Sequence, residues 1–519
     1  MLRLRTRRNP YLPFLLICSA LACPAQSQTG DHSFSTTSRL VVLDVTVLDH
    51  QGQPVTDLNQ NDFTVYESGK LQPISNFEAY SQHLLPTTLT QDALHGTADL
   101  QRVLPTSPVT ILVSDEFNTS FEDTAFARSA IRKYLANQPP VLKQPTNLLA
   151  ATDSGFVQVC DYTLNREQLL SALAHLKPVL PSELMRSGGS PEGVAIRFAQ
   201  TLASLQQVAD ASAGHKGRKN MIWVGRGFDS IDMRELPDHQ VRLLKGAAAR
   251  AINLLQESNT VLYSVDPTLS SRLVNELNAD DATSTQQAFT ASPGASADPF
   301  NGTISFNSFA PETGGHAFAL MNNLDEEIGQ SVQEGSAYYA LAYVPNHDED
   351  RENLYRSIQV KVDRPGVTAF TRRGYYAVPP QPPTRTAAQA KKLTGFEIGT
   401  ALSSKITYTG LGVLVSRNAA PDSFKVQVNT PDLSWTVGEN GALSAHAILA
   451  AVAFDNKGKP LAKNVQEVSA HAPAGQSLGS IPFTTLKIDL QQPHGTESIR
   501  FVIFDQQSGK MGSSSLPSK

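Results

Sequence analysis

The chain has 519 residues, and its 43 Lys and Arg residues nearly balance its 48 Asp and Glu residues, which gives a formal net charge of −5 at pH 7. A chain of this length is expected to fold into about two to four domains. The absence of a strong positive charge argues against a nucleic-acid-binding protein. Two of the three cysteines, Cys18 and Cys23, lie near the N-terminus, so only Cys160 remains in the body of the chain and a framework of disulfide bonds is excluded.

Residues 1–25 have the features of a signal peptide. The basic start of this segment contains four arginines, Arg3, Arg5, Arg7 and Arg8. An apolar run over residues 11–21 follows, too short to span a membrane comfortably, and the small residues Ala22 and Ala25 offer cleavage points. We therefore expect an exported protein, periplasmic, secreted or on the outer surface, with no transmembrane span in the mature chain. Cys23, directly after Ala22, leaves open a lipid anchor at that residue.

Residues 38–80 alternate apolar and polar side chains with a period of two, which is typical of β-strands. The same pattern returns over residues 336–378, where the strands flank an acidic loop. Each segment supplies about three strands, fewer than an independent two-layered domain needs. We therefore expect the two segments to pair into one β domain, with the intervening part of the chain inserted between them.

Residues 105–335 alternate strand and helix patterns. The predicted strands cover residues 109–113, 156–159, 221–224 and 261–265, and the predicted helices cover residues 121–137, 165–176, 193–213 and 234–258, with Asn165 as an N-cap. This alternation predicts an α/β domain with a doubly wound, mostly parallel sheet and helices on both faces. Residues 270–308, rich in Ser, Thr and Asn, are expected to form an insertion, and residues 177–192 a loop.

Two segments are expected to be linkers. Residues 82–108 show little periodicity, and residues 379–392 are rich in proline. The remaining residues, 393–519, return to strand patterns, over residues 406–415, 424–428, 445–454, 486–490 and 499–504. This spacing predicts a C-terminal all-β domain that resembles a β-sandwich.

Two strand ends carry the residues most relevant to function. One apolar run ends on Asp115, and another ends in Gly225-Arg226-Gly227. Open α/β sheets place ligand sites in the loops that follow such strands. In order and spacing, both blocks resemble the von Willebrand factor type A (VWA) domain, in which the first strand ends in Asp-x-Ser-x-Ser and a later strand ends in Thr-Asp-Gly.

The resemblance extends along most of the chain. Blocks within residues 43–77, 112–123, 217–228, 261–266, 312–318 and 338–376 match, in order, the VWA-related family common in acidobacteria. The resemblance implies an exported protein with a VWA core and flanking β domains. It adds little about the ligand, and the C-terminal region is its weaker part.

In VWA domains, the matching loops hold a divalent metal ion through carboxylate and hydroxyl oxygens. Carried over residue by residue, Asp115 matches the aspartate, Thr119 the second serine, and Ser190 the threonine of the second loop. Phe117 stands at the first serine position and offers no lone pair, whereas Arg226 places a cation where the last aspartate should be. The resemblance thus implies a degenerate metal-ion-dependent adhesion site.

We expect no cofactor at this site, with Arg226 forming an ion pair with Asp115 in place of the metal. A Mg²⁺ or Mn²⁺ site stays open as an alternative. Its ligands would be Asp115, Thr119 and Ser190, or a set rebuilt from Asp115, Asn118, Glu116 or Asp123. Asn118 and Ser120 are equally suited to capping the helix that follows.

These features predict an exported, non-catalytic protein-binding or assembly protein, whose protein partner the sequence does not identify. The binding surface is expected at the strand ends, around Asp115, Asn118, Thr119, Ser190 and Arg226. The alternative is a metal-dependent adhesin that uses the same loops. An enzyme is not expected, because the sequence shows no arrangement of acid, base and nucleophile.

Overall fold

The computed structural model describes residues 40–518, apart from residues 87, 154, 178–189, 269–298, 301, 319–322, 346–354, 378–386, 421, 439–440, 474 and 476. The predicted signal peptide with Cys23, most of the insertion at 270–308 and most of the loop at 177–192 lie outside the described residues. The predicted α/β class is confirmed, since a mostly parallel six-stranded sheet is accompanied by several small antiparallel sheets. No helix in the described part of the chain combines the length and apolarity that a membrane span requires.

The elements follow one another in four groups. The first β segment contains β1 (Val41–Asp49), β2 (Phe63–Glu67), β3 (Lys70–Gln72) and β4 (Asn76–Glu78). The α/β core contains α1 (Thr97–Val103), β5 (Val109–Asp115), α2 (Phe121–Ala136), β6 (Val141–Thr152), β7 (Gly155–Asn165), α3 (Arg166–His175), α4 (Pro191–Ser212), β8 (Lys219–Val224), β9 (Ile231–Asp232), α5 (Asp238–Glu257), β10 (Thr260–Val265), β11 (Thr303–Ile304), α6 (Phe309–Thr313), β12 (Ala317–Phe318) and α7 (Leu324–Ser336). The second β segment contains β13 (Tyr339–Tyr343), β14 (Tyr355–Val362), β15 (Val367–Phe370) and β16 (Gly374–Tyr376). The C-terminal β module contains α8 (Ala387–Ser403), β17 (Val413–Arg417), β18 (Ser423–Asn429), β19 (Thr436–Val437), β20 (Leu443–Phe454), β21 (Pro460–Ala472), β22 (Phe483–Asp489), β23 (Ser498–Asp505) and β24 (Met511–Pro517).

The six-stranded sheet of the α/β core has the strand order β12-β10-β8-β5-β6-β7. All neighbouring strands are parallel except β6 and β7. The chain leaves β5 toward β6 on one side, and it leaves β8 toward β10 on the other side. The carboxyl ends of β5 and β8 therefore form a topological switch point, where open α/β sheets leave a crevice.

Successive side chains of β5 point to opposite faces of the sheet, and helices cover both faces. Ile111 packs in one apolar cluster with Leu205 of α4. Leu112 packs in a second cluster with Ile131 of α2 and Ile328 of α7. Because β5 is buried on both faces, its sequence is a nearly continuous apolar run, as expected for a central parallel strand.

The sequence patterns miss strand β6, because Lys143-Gln144-Pro145 interrupts its apolar character. A proline cannot donate a hydrogen bond to a neighbouring strand. Parallel pairing with β5 begins only at Thr146, and the register with β7 shifts between Val141 and Thr146. Pro145 thus lies where the ladder is irregular, so the strand accommodates it.

The two β segments are hydrogen-bonded to each other in two four-stranded sheets, β15-β1-β13-β4 and β16-β14-β2-β3. Strand β1 pairs with both β13 and β15, and β2 pairs with β14, all antiparallel. Apolar side chains of both segments share one core, which includes Val45, Val65, Leu341 and Ile358. Each segment therefore completes the sheets of the other, and together they are called the paired β module below.

A buried ion pair links the paired β module to the α/β core. Asp44 of β1 lies 3.9 Å from Arg218, the residue before β8. Arg218 donates to Asn220 Oδ1 (3.0 Å) and to the Tyr263 hydroxyl (3.1 Å), and its guanidinium carbon lies 5.0 Å from the centre of the Tyr338 ring. Burial raises the pKa of Asp44, whereas the charge of Arg218 lowers it. Loss of either partner would leave an uncompensated buried charge, so the pair fixes the contact between the two modules.

The C-terminal β module consists of a three-stranded sheet, β17-β18-β22, and a larger sheet, β19-β20-β23-β24, with β21 paired to β20. The facing side chains of the two sheets form one apolar core, which includes Phe424, Leu449 and Phe501. The sequence patterns locate β18, β20, β22 and β23 but miss β21 and β24. The strand predicted over residues 406–415 is wrong in its first part, because β17 begins only at Val413.

The linker predicted at residues 379–392 is wrong in its second part, because α8 begins at Ala387. Ile398, Ala401 and Leu402 of α8 are buried, with the spacing of one helix face. These side chains join the apolar cluster that also contains α4 and residues of β20 and β23. The proline-rich segment before this helix makes the composition resemble that of a linker, so the helix is not predicted.

Thr409 joins the C-terminal β module to the end of α4. Its backbone N–H and its hydroxyl both donate to the carbonyl of Ala211 (2.8 Å each), and the N–H of Gly214 donates to Thr409 Oγ1 (3.1 Å). A Cβ at Gly214 would lie 1.7 Å from the Thr409 carbonyl oxygen. Only glycine permits this close approach of the two backbones.

Stability is expected to fall in acid because of His215, which follows α4 and is 3% exposed. Its Nε2–H donates to the Ser107 carbonyl (2.7 Å), and burial, aided by the charge of Lys219, lowers its pKa to about 4. The folded chain therefore favours neutral His215, and this contribution is complete above the unfolded pKa of about 6.5 and is lost as the pH falls through about 4. The loss amounts to about 3 kcal/mol.

His215→Gln keeps a donor for Ser107 and removes the titration, so its unfolding free energy should fall less between pH 7 and pH 4 than that of the wild type. Urea unfolding at a series of pH values measures this difference. His50→Gln, at an exposed position, should behave like the wild type. Parallel pH profiles for wild type and His215→Gln would contradict the prediction.

Candidate functional site

The candidate site lies at the switch point between β5 and β8. Asp115 is the last residue of β5, and its side chain is 1% exposed. The loop that follows β8 starts with Gly225 and crosses directly over Asp115, because a Cβ at Gly225 would lie 2.1 Å from Asp115 Cβ. The two loops that carry the VWA resemblance are thus in direct contact.

The carboxylate of Asp115 accepts four hydrogen bonds from the protein. Its Oδ1 accepts from the backbone N–H groups of Phe117 (3.2 Å) and Asn118 (3.0 Å). Its Oδ2 accepts from Trp223 Nε1 (3.1 Å) and from the backbone N–H of Gly227 (3.0 Å). Four acceptor positions are about the full capacity of a carboxylate. Burial raises the pKa of Asp115 to about 6, although the four donors act in the opposite direction.

The two glycines of the Gly225-Arg226-Gly227 loop are required by space and by backbone conformation. Gly225 has no room for a side chain beside Asp115. Gly227 has a φ of +66°, and a Cβ there would lie 2.2 Å from Cγ of Phe306. This geometry brings the Gly227 N–H to Asp115, so the glycines build the loop around the carboxylate.

The residues after Asp115 are also held within the protein. Thr119 is 1% exposed, and its hydroxyl oxygen accepts the backbone N–H of Arg226 (3.1 Å). Asn118 donates through Nδ2 to Thr201 Oγ1 of α4 (3.1 Å). Phe117, which stands where a VWA domain has a metal-ligating serine, is buried in the apolar cluster of this sheet face. The loop therefore uses most of its polar groups internally, whereas the buried Oδ1 of Asn118 has no hydrogen-bond partner among the described residues.

The ion pair predicted between Arg226 and Asp115 is wrong. Arg226 Nη2 lies 3.3 Å from Asp229 Oδ1, and Arg197 of α4 binds the other oxygen of Asp229 at 2.5 Å. Burial raises the pKa of Asp266, at the end of β10, whereas hydrogen bonds from Thr268 and the charge of Arg226 lower it, which indicates that Arg226 is also close to Asp266. The guanidinium points outward because the donors around Asp115 leave it no acceptor, and its side chain is 39% exposed.

Ser190 does not lie beside Asp115, contrary to its predicted role as a metal ligand. It caps α4 by accepting the N–H of Gly193 (3.2 Å), and it is exposed. Thr201, the α4 residue that contacts Asn118, follows eleven residues later, which corresponds to about 16 Å of helix. The glycines that precede Ser190 in the motif lie outside the described residues.

The alternative ligand set is engaged elsewhere. Glu116 is fully buried and accepts from Arg128 Nη2 (2.6 Å) and from the Ser114 hydroxyl (2.6 Å). Asp123 accepts from the hydroxyl of Ser120 (2.6 Å), which in turn caps α2 as the sequence suggests. Among the residues that the structure describes, no group of three or more His, Cys, Asp or Glu side chains could hold a metal ion.

The structure therefore brings together Asp115, Asn118, Thr119 and the backbone of Arg226, but only the Arg226 side chain and the distant Ser190 reach the surface. The buried residues cannot touch a partner in this conformation, which corrects the predicted surface. Sequence reasoning finds Gly227 but misses the other residues that complete the site, Trp223, Thr201, Arg197, Asp229 and Asp266. Only Asp266, at the end of a predicted strand, carries a signal of the kind that marks Asp115.

A scan against protein-family models finds no match for this chain, and a search of curated proteins finds none either. The VWA resemblance therefore rests on the sequence blocks and remains a prediction.

The role of Asp115 as an internal acceptor can be tested by its removal. Asp115→Ala leaves four buried N–H donors without their acceptor, and each such donor costs about 1–3 kcal/mol. We expect the free energy of unfolding to fall by about 3 kcal/mol or more, measured by urea unfolding. Asp92→Ala, at an exposed aspartate, is the control and should change little. Equal effects of both substitutions would show that the hydrogen bonds of Asp115 contribute no net stability.

Proposed function

We propose that this chain is an exported, non-catalytic binding or assembly protein whose VWA-like core contacts a protein partner without a metal ion. The observation that carries the proposal is the four-fold hydrogen bonding of Asp115. A carboxylate that already accepts four N–H groups has no lone pair directed at a cation.

A metal ion would have to break this arrangement before it could bind. It would compete with two donors on each oxygen of Asp115 and with the Arg226 N–H on Thr119. It would also enter next to the positive charge of Arg226, which is unfavourable at short range in a partly buried site. Both the competing hydrogen-bond donors and the charge of Arg226 oppose metal binding. They favour a site in which protein groups alone contact Asp115.

The same network makes the strand-end surface rigid, which favours binding because little conformational entropy remains to be lost. Around this network, the exposed side chains among the described residues include Arg226 and Phe121. Arg226 is 39% exposed, and Phe121, the first residue of α2, is 52% exposed. Arginine and aromatic side chains are the residue types that most often dominate protein interfaces.

Calorimetry with Mg²⁺, Mn²⁺ and Ca²⁺ on the wild-type protein tests the metal-independent site. We expect no saturable heat of binding for any of the three ions. Thr119→Val, which loses only the hydroxyl group, should behave identically. Saturable binding to the wild type that Thr119→Val weakens would instead support the metal-dependent adhesin, which uses the same loops.

Photo-crosslinking in the cells that make the protein tests the partner surface. The photoreactive amino acid p-benzoylphenylalanine replaces Phe121 in one variant and Phe396 of α8, also exposed, in the matched control. We expect a defined adduct with another protein from position 121 and none from position 396. Adducts from both positions, or from position 396 alone, would contradict a partner site at the strand ends.

A further inference from the structure

A small cavity lies between the α/β core and the C-terminal β module, and none of its lining residues belongs to the candidate site around Asp115. Its volume is about 30 Å³. It lies near the start of β5, and its walls come from α1, β5, β6, the end of α4 and residues 406–409. The same region holds the close contact between Gly214 and Thr409, so the cavity belongs to the joint between the two modules.

Three buried polar atoms in the cavity wall have no hydrogen-bond partner among the described residues. They are Nδ1 of His215, Oδ1 of Asn147 and Nε2 of Gln101. His215 and Asn147 are 3% and 4% exposed. Such groups are costly to bury without a partner, so their convergence on one cavity calls for a bound molecule.

The hydrogen-bonding character of these atoms follows from their chemistry and, for His215, from the bond that its other ring nitrogen makes. Nε2 of His215 donates to the carbonyl of Ser107, so Nδ1 of the neutral ring carries a lone pair. Asn147 presents a second acceptor, and Gln101 presents a donor. The occupant must therefore both donate and accept hydrogen bonds.

The charges around the cavity and its volume further restrict which molecule can occupy it. An anion would face the lone pairs of His215 and Asn147. A cation would meet the amide N–H of Gln101 and the positive field of Lys219, which already lowers the pKa of His215. A volume of about 30 Å³ corresponds to about two water-sized probes. A neutral molecule of two heavy atoms or two separate water molecules would fit.

We propose that this cavity is a hydration site that holds two ordered water molecules and completes the hydrogen bonding of the joint. The waters donate to His215 and Asn147 and accept from Gln101. They also reach the wall formed by Ile406 and Thr407, so they mediate the contact of the α/β core with the C-terminal β module.

A crystal structure of the full mature protein, at a resolution that shows ordered solvent, tests the proposal directly. The expected result is two density peaks in the cavity, within about 3 Å of His215 Nδ1, Asn147 Oδ1 and Gln101 Nε2. A cavity without density, or continuous density for a larger molecule or an ion, would overturn it.

Two substitutions at Ser212 give an independent test with opposite signs. Ser212 lines the cavity, but its hydroxyl donates to the Val208 carbonyl of its own helix. Ser212→Ala removes that hydroxyl without filling space, and Ser212→Val adds methyl groups that occupy the cavity. If water is bound, Ser212→Val displaces it and melts below Ser212→Ala by more than Ala203→Val, at an exposed position of the same helix, melts below the wild type. If the cavity is dry, filling it raises the melting temperature above that of Ser212→Ala and contradicts the proposal.

Discussion

The carboxylate of Asp115 is the constraint on which the geometry of the strand-end loops depends. An ionised carboxylate is expensive to remove from water, so its burial requires donors that replace the solvent. Two of those donors come from the loop just after β5, one from Trp223 of β8 and one from the loop that follows β8. The glycines on either side of Arg226 are a consequence, because only they let the second loop pass over Asp115. The same hydrogen bonds therefore hold the two loops together and, in the proposed function, take the place of a metal ion.

The amino ends of the central strands, at the opposite edge of the sheet, contact the other modules. Arg218 and Lys219 lie where β8 begins, and Ser107 precedes β5. Asp44 of the paired β module meets this end through Arg218, and Thr409 of the C-terminal β module meets it beside His215. The contacts that join these modules to the core therefore concentrate at the amino ends of the central strands. The carboxyl ends, where α/β sheets carry their ligand sites, keep Arg226 and Phe121 accessible.

How much the sequence could predict follows from the kind of signal each element carries. Strands β5, β8 and β10 are buried on both faces and are visible as short apolar runs. Strand β21 is not visible as an apolar run, because its residues are alternately exposed and half-buried. Its strand conformation is stabilised by hydrogen bonding to β20. Helix α8 is hidden by its proline-rich approach. Local sequence patterns identify strands and helices through their buried residues. They miss an element whose structure depends on contacts with a segment far away in the sequence.

The residues of the candidate site can also be separated into those that local sequence signals predict and those that they do not. Asp115 is predictable because a carboxylate ends an apolar run, and Ser120 because capping is a local interaction. The partners of Asp115 are not predictable, because three of the four are backbone N–H groups that any sequence possesses. Ser190 is misplaced for a related reason. Its motif matches locally, but α4 carries it about 16 Å along its axis from the contact with Asn118.

The charges around Arg226 limit what kind of partner the surface can recognise. Its guanidinium lies next to Asp229, which also binds Arg197, and close to Asp266, so part of its field is neutralised within the protein. A partner's carboxylate would have to compete with these groups, and long-range attraction of an acidic partner would be weak. The binding energy must then come mainly from shape and apolar contact, to which the exposed ring of Phe121 contributes area at little cost in conformational entropy. A metal-ligating VWA site selects an acidic residue through the charge of its ion. If the proposed function holds, a site built like this one would select a complementary surface, and its affinity should depend less on ionic strength than that of a metal-ligating site.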